Sequence, residues 1–165
     1  MVTCKYRTNI YKSCYYKYRK IINDVLNYLI LQANNKQIRI SVDIEPNTYV
    51  YADYNMLNTI LRNIISNAIK FTPISGQISI KAKTDKDQTI IQIADTGVGI
   101  PKDKLEKLFV IEKSRSTTGT NGETGTGLGL ILVKDFVEKN NGTISVHSEL
   151  NKGTIFTITL PNSKS

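Results

Sequence analysis

The sequence is short of the residues that build metal and redox centres, with two cysteines, Cys4 and Cys14, and one histidine, His147, in 165 residues. The histidine stands far from both cysteines and the spacing matches no zinc template, so the cysteines read as free thiols of a reducing compartment. No apolar run reaches the length of a bilayer span, and the N-terminus lacks the charged, apolar and small-residue succession of a secretory signal. The chain therefore reads as soluble and cytoplasmic, without direct membrane contact. No internal repeat is present, and the only biased stretch is a Gly/Thr-rich segment near residues 119–127.

At 40% apolar content the chain is large enough for one domain with a core of its own, and cramped for two. The net charge of +8 is unevenly placed. Residues 1–20 carry Lys5, Arg7, Lys12, Lys17, Arg19 and Lys20 and no acid, leaving +2 for the other 145 residues. That end also holds Tyr6, Tyr11, Tyr15, Tyr16 and Tyr18, and basic residues interleaved with aromatics can grip single-stranded nucleic acid. A short charged end is more often a solvated linker, so residues 1–18 read as a tail or linker remnant and not as a nucleic-acid arm. A second, short tail is expected at 162–165.

Apolar residues from Ile21 to Ile30 at helical spacing predict a helix over 19–34. "IRISVDI" alternates as a half-buried strand, and "EPNTYVYA" reads as a turn and a short strand. Asp53 is a candidate N-cap for a strongly amphipathic helix with Leu57, Leu61, Ile64 and Ala68 on its stripe, ended by Pro73. "QISIKAK" and "TIIQIAD" predict a hairpin, 102–109 a short helix, 112–126 a long loop, and 128–140 a further helix with Gly142 as its C-cap. "TISVHSE" and "GTIFTITL" predict a second hairpin. The expected architecture is α+β: a two-layer sandwich whose mixed, mostly antiparallel sheet is covered on one face by three helices.

Three stretches carry chemistry. On the central helix, at about 100° per residue, Asn63, Asn67 and Lys70 line one edge beside the apolar stripe. Asn is a mediocre helix former, and two of them there are ordinary polar-face residues or carboxamides placed to ligate a hard cation such as Mg²⁺. "DTGVGIP" puts Asp95 at a strand end, where Gly97 and Gly99 allow close backbone approach; it is a tight turn, or a carboxylate placed to accept from an exocyclic amine. "GTNGETGTGLGL" has neither the Lys-Ser/Thr of a Walker A loop nor G-x-G-x-x-G spacing, which leaves glycines exposing N–H groups ahead of a helix N-terminus, where phosphate is favoured.

Taken in order, "NIISNAIKFT", "DTGVGIP", "GTGLGL" and the closing "GTIFTITLP" resemble the N, G1 and G2 boxes and terminal strand of the sensor histidine kinase ATP-binding domain, over roughly residues 20–161. That family shares the Bergerat fold with gyrase, the Hsp90 chaperones and mismatch-repair ATPases, with a mobile lid over the nucleotide. The resemblance implies a domain at 19–161 that binds ATP and Mg²⁺. It implies that Asn67 is the magnesium ligand with Asn63 helping, Lys70 a phosphate contact, and Asp95 the adenine-reading carboxylate. By the same likeness Gly97 and Gly99 shape the pocket, and Phe71 and Ile100 form its wall. Gly125, Gly127, Leu128 and Gly129 correspond to the backbone that meets the phosphates, and Thr157 to a hydroxyl near the adenine.

The sequence departs from the family in two places. "LFVIEKSRSTTGT" keeps Phe109 but lacks the Pro and second Phe of the F box, and leaves open whether Lys113 or Arg115 reaches the γ-phosphate. No phosphoacceptor histidine is evident, since His147 alternates with Ile144 and Val146 along a strand as a surface residue does. The resemblance thus implies a protein-histidine kinase module of a two-component pathway. Its partners would be a His-bearing helical-hairpin dimerisation domain of the parent chain and a response regulator. The alternatives are a non-catalytic nucleotide-sensing or protein-interaction module, and a self-sufficient ATPase of the same fold. Such ATPases carry a glutamate one turn before the magnesium Asn, where this chain has Asn63, a poor base.

Overall fold

The computed structural model describes residues 13–110, 119–122 and 128–163. Strand β1 (Ser13–Lys17) leads into α1 (Tyr18–Asn35), followed by β2 (Arg39–Ile44), β3 (Tyr49–Asp53) and α2 (Tyr54–Phe71). The hairpin β4 (Gln77–Asp85) and β5 (Gln88–Asp95), the short α3 (Lys102–Leu105), α4 (Gly129–Lys139), and the hairpin β6 (Thr143–Glu149) and β7 (Gly153–Pro161) complete the chain. The main sheet has the order β2-β4-β5-β7-β6, with β2 parallel to β4 and every other pair antiparallel. The α+β sandwich expected from the sequence is what forms.

Strand alternation decides which face the helices cover. Ile78, Ile80, Ile91, Ile93, Phe156, Ile158 and Leu160 are buried against α1, α2 and α4, and the opposite face carries exposed residues such as Lys81, Gln92 and His147. On α2 the residues Leu57, Ile60, Leu61, Ile64 and Ile65 are fully buried, a stripe that contributes about 1.5–3 kcal/mol per side chain on area grounds. Among the described residues no helix is long and apolar enough to cross a membrane.

Three expectations change. The tail assigned to 1–18 contains β1, which pairs antiparallel with β3 from Ser13↔Asp53 to Lys17↔Tyr49, so the fold begins by residue 13. The ring of Tyr15 packs at a tilt of 54° on Tyr51 across that join, 5.0 Å between centres, and that of Tyr16 at 52° on Tyr54 at the start of α2, 5.3 Å between centres; the strand pairing and these contacts hold the basic segment in the domain. Cys14 is buried and disulfide-bonded, not a free thiol; a compartment argument says nothing about which sulfurs the fold brings within reach. At the end of α4 the left-handed residue is Asn141 (φ 55) rather than Gly142. There the N–H of Asn141 reaches the carbonyl of Glu138 (2.9 Å) and that of Gly142 the carbonyl of Val137 (2.9 Å), a Schellman closure. Gly142 is small because a Cβ would run into the Thr159 carbonyl and, at 2.7 Å, the Leu160 side chain.

The start of α2 is tied to the end of α4 by one buried amide. Asp53 caps α2 by accepting from the Met56 N–H (3.0 Å), and its own N–H donates to Asn140 Oδ1 (2.7 Å). The Asn140 amide group in turn donates to the Phe136 carbonyl (2.7 Å). Asn140→Ala leaves the Asp53 N–H buried without an acceptor and is expected to destabilise the fold by about 2–3 kcal/mol. Urea titration should show a lower midpoint at unchanged slope, and a midpoint equal to the wild type's would exclude this role.

Candidate functional site

The C-terminal end of α2 organises the site. A helix leaves its last carbonyls without intrahelical partners, and a local closure would draw on the N–H groups just beyond the cap. Here the cap is Thr72 and the next residue is Pro73, which has no N–H to give. Distant parts of the chain supply the donors instead. The Lys36 ammonium donates to the carbonyls of Ile69 (2.9 Å) and Lys70 (3.0 Å), the Thr120 N–H to Lys70 (3.1 Å), the Val98 N–H to Phe71 (3.1 Å), and the Thr120 hydroxyl to Thr72 (3.1 Å).

The contact through Val98 seats the Asp95 loop on the end of the helix. Gly97 lies so close to the Phe71 carbonyl that a Cβ there would come within 2.6 Å of it. Gly99 has φ +70, and its missing side chain lets the loop press against the carbonyl of Glu149 at the β6–β7 turn. Further bonds fix the loop: Thr96 Oγ1 accepts from the Gln77 N–H (2.9 Å), the Ile100 N–H donates to Ser148 Oγ (2.8 Å), and the Asn151 N–H donates to the Val98 carbonyl (2.8 Å).

Asp95 ends β5 with its carboxylate directed back into the loop, where Oδ1 accepts from the N–H groups of Gly97 (2.8 Å) and Thr154 (3.3 Å). Burial raises its pKa to about 6, and the two N–H donors lower it by less. Phe71 is half-buried beside Lys70, whose ammonium stands 4.8 Å from the Phe71 ring centre.

The α2 flank separates its two carboxamides. Asn63 turns back on its own helix, donating to the Thr59 carbonyl (2.8 Å), and its Oδ1 occupies the place beside Gly129 where a Cβ would stand 2.5 Å away. Gly129 is thereby explained as the residue that lets the start of α4 sit on Asn63. Asn67, one turn later and half-buried, has no hydrogen-bond partner among the described residues. Leu128, at the N-cap of α4, offers no side-chain cap to the first-turn N–H groups. The Thr72 hydroxyl is buried and likewise has no partner among the described residues.

Thr157 does not join this cluster. It pairs with Gln92 and Ser145 in register, and Gln92 Nε2 donates to its hydroxyl at 3.5 Å, on the face of the sheet away from the helices. Thr154, opposite Asp95 in β7, is the threonine on the Asp95 side, and Ser148 Oγ lies 2.9 Å from its hydroxyl. The pattern of β7 carried this signal: Phe156, Ile158 and Leu160 share parity with Thr154, not with Thr157. Gly125, Gly127, Lys113 and Arg115 lie outside the described residues. A cavity of about 250 Å³ lined by Lys17, Arg19, Ile44, Glu45, Pro46, Asn47 and Thr48 shares no residue with the site.

A family model described as "Histidine kinase-, DNA gyrase B-, and HSP90-like ATPase" matches residues 52–164, which takes in α2, the Asp95 loop and α4. The chain belongs to this ATPase family. Sensor histidine kinase YclK of Bacillus subtilis is 38% identical over 143 residues, 86% of this chain and 30% of its own length. The chain thus spans about a third of that relative. Among solved structures, the nucleotide-free catalytic domain of histidine kinase ThkA has a TM-score of 0.78 at 24% identity, covering 91% of this chain and 95% of that one. The mycobacterial sensor histidine kinase MprB has a TM-score of 0.74 at 26% identity, covering 89% and 95%.

In this ATPase-family domain the Asp95 carboxyl exchanges stability against charge. Its pKa is 3.8 in an unfolded chain and about 6 in the fold. Between those values the folded state binds the extra proton, so stability falls as pH rises from 4 to 6 and the penalty is complete above 6. Asp95→Asn keeps an oxygen for both N–H donors and removes the buried charge. The variant is expected to be more stable than wild type by about 1–3 kcal/mol at pH 7.5 and equal to it near pH 4. Denaturant titrations at the two pH values check this, and a variant less stable at pH 7.5 contradicts it.

Proposed function

We propose that this chain is the catalytic ATP-binding domain of a sensor histidine kinase, a protein-histidine kinase of a two-component pathway located in the cytoplasm. It would hold ATP·Mg²⁺ for transfer of the γ-phosphoryl to a histidine on a separate helical-hairpin dimerisation domain. The observation that carries the reading is the seating of the Asp95 loop on the last residue of the helix that bears Asn63, Asn67 and Lys70.

In this reading Asp95, ionised above about pH 6, accepts from the exocyclic amine of adenine. Phe71 and Ile100 form walls, Gly97 and Gly99 let the base approach the backbone, and Thr154 takes the place first expected of Thr157. Asn67, whose carboxamide is uncommitted, would hold Mg²⁺, with Asn63 nearby but already bonded to its own helix. The ion supplies neutralisation of phosphate charge, the main demand of a loose phosphoryl-transfer transition state. Lys70 adds a cation on the same flank, and Leu128 and Gly129, with Gly125 and Gly127 before them, would present N–H groups to the phosphates.

The acceptor comes from outside the chain. His147 is exposed on the sheet face away from the helices, paired with Ile155. In transfer, the bond from the γ-phosphorus to its bridging oxygen breaks as a bond to an imidazole nitrogen of the dimerisation domain forms. A response regulator would then receive the phosphoryl group; histidine kinase ThkA has been solved in complex with the response regulator TrrA. Hydrolysis finds little support, because the position from which a glutamate would activate water holds Asn63.

The chain is expected to bind ATP in a Mg²⁺-dependent manner and to release almost no phosphate by itself. Asn67→Ala should weaken that binding by about tenfold, or about 1.4 kcal/mol, in calorimetric titrations with and without Mg²⁺. Affinity should also fall as pH drops below 6, where Asp95 takes up its proton. Binding indifferent to both the ion and the substitution would favour a non-catalytic nucleotide-sensing or protein-interaction module, and brisk phosphate release would favour an ATPase.

A further inference from the structure

We propose that Lys36 is a positioning residue of the nucleotide site, acting through Thr120 and the carbonyl of Lys70; the inference rests on the nucleotide reading above. Lys36 caps α1, far in sequence from every residue that the family resemblance singled out, and it is almost wholly buried. Burying an ammonium is unfavourable unless its donors are satisfied. The carbonyls of Ile69 and Lys70 and, at 2.6 Å, the hydroxyl of Thr120 accept from it. Its own main chain is held as well, since the Ser75 N–H donates to its carbonyl (2.9 Å).

The geometry around Thr120 limits where each proton can go. The Lys70 carbonyl has two lone pairs, filled by the Lys36 ammonium and the Thr120 N–H (3.1 Å). The Thr120 hydroxyl accepts from Lys36, and its one hydrogen lies between the carbonyls of Lys70 and Thr72, each 3.1 Å away; with the Lys70 lone pairs already engaged, the Thr72 carbonyl is the better acceptor. The ammonium also sits at the negative end of the α2 dipole. Three separate segments, the end of α1, the end of α2 and residues 119–122, are therefore joined at one charged point.

Lys70 stands at that point. Its carbonyl is locked by Lys36 and Thr120 while its side chain lies over the Phe71 ring, so the direction in which Lys70 offers its charge to a triphosphate depends on this clamp. Segment 119–122 is held beside the same end of the helix. A loss of the clamp would be felt by the phosphates of the ligand more than by its base, because the Asp95 loop is fixed by its own bonds to Gln77, Ser148 and Phe71.

Thr120→Val keeps the shape of the side chain and removes both hydroxyl bonds; Thr120→Ser restores them. Dissociation constants for ATP·Mg²⁺ and for adenosine monophosphate, with melting temperatures, are to be measured on the 165-residue chain. Thr120→Val is expected to weaken ATP by about five- to tenfold while changing the monophosphate by less than twofold, and Thr120→Ser to return ATP to the wild-type value. Lys36→Met should lower the melting temperature and reproduce the selective loss of ATP. Wild-type ATP affinity in Thr120→Val overturns the proposal, as does an equal loss of both nucleotides. A wild-type chain that binds neither overturns the nucleotide reading itself, and the positioning role with it.

Discussion

The rest of the structure depends on the open carbonyl end of α2. Pro73 removes the local N–H that would close the helix on itself, and so the carbonyls of residues 69–72 must be satisfied from elsewhere. Each donor that answers this need belongs to a different part of the chain: Lys36 from the end of α1, Val98 from the loop after β5, Thr120 from the segment before α4. A hydrogen-bonding deficit at one helix terminus thus becomes the device that gathers the candidate site. The same bonds that complete the helix seat the Asp95 loop on the end of α2, the helix that carries Asn67 and Lys70.

Asp95 sets charge against stability. A carboxylate buried far enough to be raised to a pKa of about 6 opposes folding at neutral pH, and only two backbone N–H groups compensate it. Such a group is retained where an anion or acceptor is needed at that place. The loop around it is correspondingly rigid, pressed against Phe71 on one side and against the β6–β7 turn on the other through positions where no Cβ fits. A flat ligand edge could approach a surface of this kind closely, because backbone lines it.

Much of this was legible in the residues. The periodicity of α2, its Asp53 cap and its Pro73 stop are local signals, and the helix runs Tyr54–Phe71 as they predict. The hairpins β4–β5 and β6–β7 follow from alternation and short polar turns. Thr157 was misplaced because a motif likeness counts positions along a strand without asking which face each occupies, although the parity of Phe156 and Leu160 was there to be used. The strand within residues 1–18 was missed because four cations and no acid dominate that stretch, and its pairing with β3 is a non-local contact that composition does not report.

What the sequence determined by itself is therefore what lies within a few residues: where elements start and stop, which stripe is apolar, and which short motifs carry carboxamides, a carboxylate and glycines. The tertiary structure alone decided that Lys36 and Thr120 share a proton network with the end of α2, that Asn63 is spent on its own helix while Asn67 is not, and that Thr154 rather than Thr157 attends Asp95. Side-chain direction and long-range hydrogen bonding depend on how elements meet in space. Chain-local patterns do not encode that meeting.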